Sequence, residues 1–374
     1  MTDWAIAGRC APGFEQVRDA FETNFREADE FGASFAAILN GDVVVDLRGG
    51  WADRAATRPW SEETIVPVYS VTKAIAALVV ARLLERSDAG YETPVSDIWP
   101  EFAAHGKDRV TIGETLSHQA GLPGFAEEID RDLWLDPPAL AARLADEAPL
   151  WPPGDGSGYH PLTWGYLAGE IALRLSGRTL GHVLRDEICG PLGIDFQIGL
   201  PDTDHHRCAD LLRPKAMPAL GPLNDFNRAA FLTKWAAPDR GGPDWRRVEI
   251  PSANGHGNAL SVARLYGAYA HGGQIDGVAL FNPDTYDALT RRRAFGQDRV
   301  LPFVMDFAAG VFRNHEKLYG PNETSLAHSG WGGSAAFGDP DRGLSAAYVM
   351  NRQSNRLQGD PRSIRLFDAL YACL

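Results

Sequence analysis

Tyr69-Ser70-Val71-Thr72-Lys73-Ala74-Ile75-Ala76-Ala77-Leu78-Val79-Val80-Ala81 is the most informative segment of this 374-residue chain. From Tyr69 to Arg86 the pattern is one long helix. From Ala74 to Ala81 it is apolar all round, which marks a helix buried on every side. A lysine at the head of such a helix needs a reason. Residues i and i+3 share a helix face, so Ser70 and Lys73 come within hydrogen-bond reach. A serine hydroxyl is a poor nucleophile until a base takes its proton, and burial lowers a lysine pKa enough to make the amine that base. The helix N-terminus also brings backbone N–H groups to a developing oxyanion. Lys in a first turn opposes the helix dipole, which weakens a purely structural explanation. With sixteen serines and five lysines, one accidental S-x-x-K is still expected about one time in five. No other serine repeats the pattern.

Upstream, Phe35 to Leu47 reads as a hairpin: an apolar run meets Asn40-Gly41, a strong two-residue turn signal, and then Val43-Val44-Val45. Partners for these strands lie near the other end of the chain. Phe307 to Arg313, Ala335 to Gly338 and Leu344 to Met350 are short, β-rich and punctuated by Gly, Asp and Pro. An amphipathic helix, Ser363 to Cys373, closes the chain. The middle is helical, with Leu162 to Leu175 ending at a Gly177 cap, and with Pro138 to Glu147 and Leu180 to Ile188. Leu211 to Pro251 has little periodicity, as befits a lid or pocket wall. Strands at both ends and helices between them predict an α/β (α+β) fold. Residues 1–85 and 250–374 form a discontinuous domain with an antiparallel sheet flanked by helices. A mostly helical insertion, 86–249, interrupts it, with the site at the junction.

Hydrophobic content of 44% and charged content of 23% are those of a soluble globular protein. The net charge of −13 argues against a nucleic-acid partner, which needs a basic stripe, and against anionic lipid. Cys10, Cys189, Cys208 and Cys373 match no metal or redox spacing, and His205-His206 beside Cys208 does not make a complete metal site. No metal or other cofactor is expected. Met1-Thr2-Asp3-Trp4 lacks the basic and apolar regions of a leader, and no apolar stretch is long enough to span a bilayer. Cytoplasmic residence is the expectation.

Two further segments carry chemistry. Trp151-Pro152-Pro153-Gly154 leads to Gly158-Tyr159-His160-Pro161, a rigid loop with Tyr159 at its exit. A tyrosine whose phenol is depressed by a nearby lysine can shuttle protons to a leaving group. In Ala327-His328-Ser329-Gly330-Trp331-Gly332-Gly333-Ser334, small residues on a strand let substrate approach the backbone, and a strand N–H can complete an oxyanion hole. His118, His205, His206 and His256 read as structural or exposed.

Ser70-Val71-Thr72-Lys73, Tyr159-His160-Pro161 and His328-Ser329-Gly330 with Trp331-Gly332-Gly333 resemble, in order and approximate spacing, the three motifs of class C β-lactamases and related penicillin-recognising serine enzymes. Leu116-Ser117-His118-Gln119-Ala120-Gly121-Leu122 is similar to that family's LLSHTSGL segment, and Gly257-Asn258-Ala259 leading to Gly272-Gly273 also matches. The resemblance runs from the hairpin to Met350 and is strongest to the family VIII carboxylesterases. His-Ser-Gly and Trp-Gly-Gly stand where β-lactamases have Lys-Thr-Gly, and Pro161 replaces the asparagine that holds an acylamino group. Both departures remove groups that recognise charged, amide-bearing lactams and leave the nucleophile and base in place.

The resemblance implies a β-lactamase-like fold and a serine carboxylesterase acting on short-chain acyl esters of small molecules, without a cofactor. Ser70 would attack, with Lys73 and Tyr159 as a coupled base. His328, Gly330, Trp331, Gly333 and Ser334 would line the substrate or oxyanion site beside the Ser70 N–H. The second oxyanion donor is Trp331 if His-Ser-Gly is the counterpart of Lys-Thr-Gly, and Ser334 if Trp-Gly-Gly is; the esterase motif favours Ser334. Competing expectations are an amide-directed relative (a D-aminopeptidase, a nylon-oligomer-type hydrolase or a weak β-lactamase), an acyltransferase, or an inactive binding protein. An α/β-hydrolase is set aside because no serine sits in a G-x-S-x-G elbow.

Overall fold

The structure is a computed structural model that describes residues 4–374. Its large sheet has nine strands: β1 (Ile6–Cys10), β2 (Gly32–Leu39), β3 (Asp42–Gly50), β4 (Ala294–Gln297), β5 (Val304–Phe307), β6 (Phe312–Arg313), β7 (Leu326–Ser329), β8 (Ala335–Asp339) and β9 (Leu344–Met350). They lie in the order β1-β3-β2-β9-β8-β7-β6-β5-β4, every pair antiparallel. The predicted hairpin is β2 and β3, turned by Asn40 and Gly41 at φ of 50° and 91°, the left-handed pair that matches strand twist. Its predicted partner from the far end of the chain is β9, with Phe35 opposite Tyr348 and Ala37 opposite Ala346.

Strand alternation divides the burial between two cores. Phe35, Ala37, Ala346 and Tyr348 face helices α1 (Glu15–Glu27) and α5 (Pro361–Tyr371) through Phe21, Phe25, Leu366 and Phe367. Ala36, Ile38, Ala347 and Val349 face the larger core, which holds α2 (Val71–Glu85), α3 (Thr163–Ser176) and α4 (Ala259–Ala270). Every residue of α2 from Val71 to Ala81 is buried, as its apolar run predicts. The helix begins two residues later than Tyr69, because Tyr69 takes φ of 49°, outside helical space. Helix α3 ends at Gly177 with φ of 69°, the expected left-handed cap.

Three segments differ from expectation. Strand β1 has no apolar alternation, and its Gly8 (φ 103°) lies where a Cβ would be 2.0 Å from Asp46 O, so close backbone approach defines it. Leu180–Leu184 is α-helical but Arg185–Cys189 widens to a π-turn. The aperiodic 211–251 segment carries short helical turns at Asp225–Asn227, Arg228–Leu232 and Pro243–Arg247. Among the described residues no helix is long and apolar enough to cross a membrane.

Candidate active site

A short strand, Val66–Pro67, delivers the chain to α2 by pairing with Gly255–Gly257. Val68 N–H donates to Gly255 O at 2.8 Å, and Gly255 N–H donates to Thr72 Oγ1 at 3.1 Å. Between these clamps Tyr69 is held at its positive φ, a strain of about 1–3 kcal/mol for a non-glycine residue. Ser70 follows in helical conformation, φ −68° and ψ −9°, and its hydroxyl makes no capping bond. A serine at a helix start ordinarily spends its oxygen on the N2 or N3 amide. Here Oγ is left for Lys73.

Lys73 Nζ lies 3.0 Å from Ser70 Oγ, 2.8 Å from Pro161 O and 3.1 Å from Ser252 O. The side chain is fully buried, and among the described residues no carboxylate pairs with it. Burial therefore drives its pKa well below the usual lysine range. A neutral amine suits this cage: two N–H groups donate to the two carbonyls, and the lone pair is left to accept the Ser70 proton.

Tyr159 is buried, and Lys73 Nζ lies 4.8 Å from its ring centroid, over the ring face. The phenol is near enough to Ser70 for the hydroxyl to lower its pKa, but burial outweighs this and pushes it up. The sequence expectation of a phenol depressed by lysine is thus reversed. The amine meets the ring and not the oxygen, and no cation offsets desolvation. Tyr159 is a protonated phenol at neutral pH.

Its loop is anchored by Asp298, whose Oδ1 accepts the N–H groups of Tyr159 (2.9 Å), Val300 (2.9 Å) and Leu301 (2.8 Å). On the other side, His160 Nε2 accepts the Leu122 N–H at 2.9 Å, and His160 N–H donates to His118 Nδ1 at 3.0 Å. His160 Nδ1 lies 2.6 Å from Gly158 O, which places the ring proton on Nδ1. Burial lowers the His160 pKa to about 3, and His118 and His328 are likewise lowered by burial. Lys73 thus sits among neutral rings. His118 and His160 hold the loop, in line with the structural reading of His118.

Of the third motif, Ser329 and Trp331 line the space over Ser70; four other residues expected there do not. His328 is fully buried, its ring stacked on Phe312 at 4.0 Å, so it packs behind the site. Gly330 permits close approach: a Cβ there would lie 2.3 Å from Val68 O, two residues before Ser70. Gly333 turns the other way, with a Cβ position 2.4 Å from Asp360 Oδ2. Ser334 is fully buried beneath the turn, and its carbonyl accepts the Gly330 N–H at 2.6 Å.

Tyr69, Ser70, Tyr159, Phe231, Phe312 and Trp331 are among the walls of the cavity. It is narrow, about 60 Å³ on a scale where one water needs about 10–15 Å³. It opens past Phe231 and Trp331 into a groove of about 980 Å³. No grouping of three or more His, Cys, Asp or Glu side chains suited to a metal occurs among the described residues.

The beta-lactamase family profile matches residues 18–369. The chain belongs to the beta-lactamase family. Within that family it is 35% identical, over 361 residues, to Esterase/beta-lactamase LipL of Mycobacterium tuberculosis, covering 93% of this chain and 83% of the relative. Among solved structures, a novel penicillin-binding protein homolog from Caulobacter crescentus matches with a TM-score of 0.96 and 53% identity. A family VIII carboxylesterase matches with a TM-score of 0.91 and 40% identity. Each covers 99% of this chain and 100% of the neighbour. The family VIII resemblance read from the motifs is borne out, as is the β-lactamase-like fold.

Several site residues of this beta-lactamase-family chain escape sequence reasoning. Pro161 and Ser252 act through main-chain carbonyls, which no side-chain pattern reveals. Asp298 sits 139 residues from the tyrosine it anchors. Phe231 and Arg240, both on cavity walls, lie in the aperiodic 211–251 segment.

Proposed function

We propose that this chain is a cytoplasmic serine carboxylesterase that hydrolyses short-chain acyl esters of small molecules through an acyl-enzyme on Ser70. The observation that carries the reading is the Lys73 cage: an amine 3.0 Å from Ser70 Oγ whose other two partners are carbonyls. Neutral Lys73 takes the Ser70 proton as Oγ attacks the ester carbonyl. The oxyanion is received by the Ser70 N–H and the Trp331 N–H; among the described residues neither donates to another group. Trp331 is preferred to Ser334 as the second donor because it lines the cavity and Ser334 has no exposed surface. The proton then reaches the departing alkoxide from Lys73 by way of the Tyr159 hydroxyl. Water attacks the acyl-enzyme along the same route in reverse.

The narrow cavity over Ser70 supports a small acyl group, and the net charge of −13 supports the absence of a nucleic-acid partner. The likeness to a penicillin-binding protein homolog keeps amide-bearing acyl donors as the competing substrate class. Turnover of p-nitrophenyl acetate and butyrate, measured beside nitrocefin and D-alanyl p-nitroanilide, separates the two. Fast ester cleavage with negligible amide cleavage is expected. The reverse would overturn the esterase reading.

A further inference from the structure

Arg240 sits where the narrow cavity meets the outer groove and contributes to the walls of both. Its guanidinium carbon lies 5.2 Å from the centroid of the Trp331 ring, and Trp331 stacks in turn on Phe231 at 6.2 Å and 29°. This stack fixes the plane of the guanidinium. Among the described residues Arg240 makes no hydrogen bond and no ion pair. Its neighbour Asp239 turns away to Arg131 at 3.1 Å. Asp210, the other carboxylate on the groove, accepts the Arg54 N–H at 2.9 Å. Burial lowers the Arg240 pKa, the adjacent Tyr69 phenol offsets part of this, and Arg213, a charge of the same sign, adds to the lowering.

The groove as a whole repeats the imbalance. Seven cationic side chains line it against two carboxylates, on a molecule of net charge −13. Arg213, Lys215, Lys234 and Arg246 join Arg240 in having no ion-pair partner among the described residues. A half-buried, unpartnered guanidinium held flat at the mouth of a reactive site is a donor fork without its acceptor. Carboxylate is the planar anion that matches its two parallel N–H groups, and a cleft lined by one sign of charge concentrates such an anion.

We propose that the ester cleaved at Ser70 carries a carboxylate on its alcohol side, which Arg240 receives while the small acyl group occupies the narrow cavity. The proposal rests on the esterase reading above and names the substrate class of the same site. The alcohol side is assigned because the enclosed space over Ser70 admits only a small group. The wide basic groove lies beyond it.

Matched acetate esters of 4-hydroxybenzoic acid and of its methyl ester test this, since they differ by one charge. Each kcat/KM is divided by that ester's own hydroxide-catalysed rate, and p-nitrophenyl butyrate serves as a neutral reference. Wild-type protein should favour the carboxylate-bearing ester by about tenfold or more, mainly through KM, with the preference shrinking in added salt. The ratio should fall towards one in Arg240→Gln and be partly kept in Arg240→Lys. A wild-type ratio near one, or an unchanged ratio in Arg240→Gln, overturns the proposal while the esterase reading stands. Preference for the acid half of p-nitrophenyl glutarate in place of 4-acetoxybenzoate would overturn the assignment to the alcohol side. Absence of turnover of every ester, the neutral reference included, overturns both.

Discussion

Lys73 Nζ has three partners, and one of them is Ser70 Oγ, the proposed nucleophile. Replacing Ser70 with Ala should abolish ester turnover. Lys73→Ala should lower kcat by about 10²–10⁴-fold, the range of a lost general base, and Tyr159→Phe should lower it heavily while circular dichroism shows the fold intact. Full activity in any of the three contradicts its role. The pH profile follows from two opposite shifts. As the proposed base Lys73 would work as the free amine, and burial lowers its pKa, so activity should rise as pH climbs through a value well below that of an ordinary lysine. As the proposed proton relay Tyr159 would work as the phenol, and burial raises its pKa, so activity should be lost only above the ordinary tyrosine range of about 10. A plot of kcat/KM against pH should reach its plateau well below the ordinary lysine value of about 10.4 and hold it to about pH 9. A rise continuing to about 10.5 would mean that Lys73 is an ordinary exposed amine.

At the scale of elements, the site is a loop and two strand ends brought against the head of α2. His160 ties that loop down through the Leu122 N–H and Gly158 O. His160→Ala leaves a buried donor and a buried acceptor unpaired, which should cost about 2–3 kcal/mol, read from a urea midpoint, and should lower kcat by loosening Tyr159. Wild-type stability in this variant would show that the bonds contribute nothing. What the sequence makes legible here is local. Ser70 and Lys73 are one turn apart, and Asn40-Gly41 carries its own turn geometry, so both can be read directly. The choice between Trp331 and Ser334 cannot. It depends on how the chain runs after β7, where Gly330 comes so close to Val68 O that a Cβ would lie 2.3 Å from it, an approach across 262 residues that no local pattern announces. The left-handed Tyr69 is equally hidden, since the clamp that strains it comes from Gly255.

Across the whole molecule, the chain's two ends are joined under the turn that holds Gly333. Arg362 Nη1 bonds Glu30 Oε1 at 3.0 Å, and Nη2 bonds Asp360 Oδ2 at 2.9 Å, all three side chains buried. Gly333 rests on this cluster, so the ions support the turn that carries Trp331. Arg362→Leu strands Glu30, whose pKa burial already raises, and should destabilise the protein by about 3–5 kcal/mol in urea unfolding. A loss below about 1 kcal/mol would mean that the cluster is relaxed by water. No periodicity announces such a pair, because its members lie 332 residues apart. Net charge is no guide either: an acidic chain carries a basic groove at its site mouth, and only the folded arrangement separates the two signs.

The whole mechanism turns on activation of Ser70 Oγ by Lys73. Mass-spectrometric peptide mapping after reaction with a fluorophosphonate tests it most directly. One adduct is expected, on the peptide containing Ser70, absent in Ser70→Ala and strongly slowed in Lys73→Ala. An adduct on a different serine, or active protein that turns over esters without taking up the label, would contradict it.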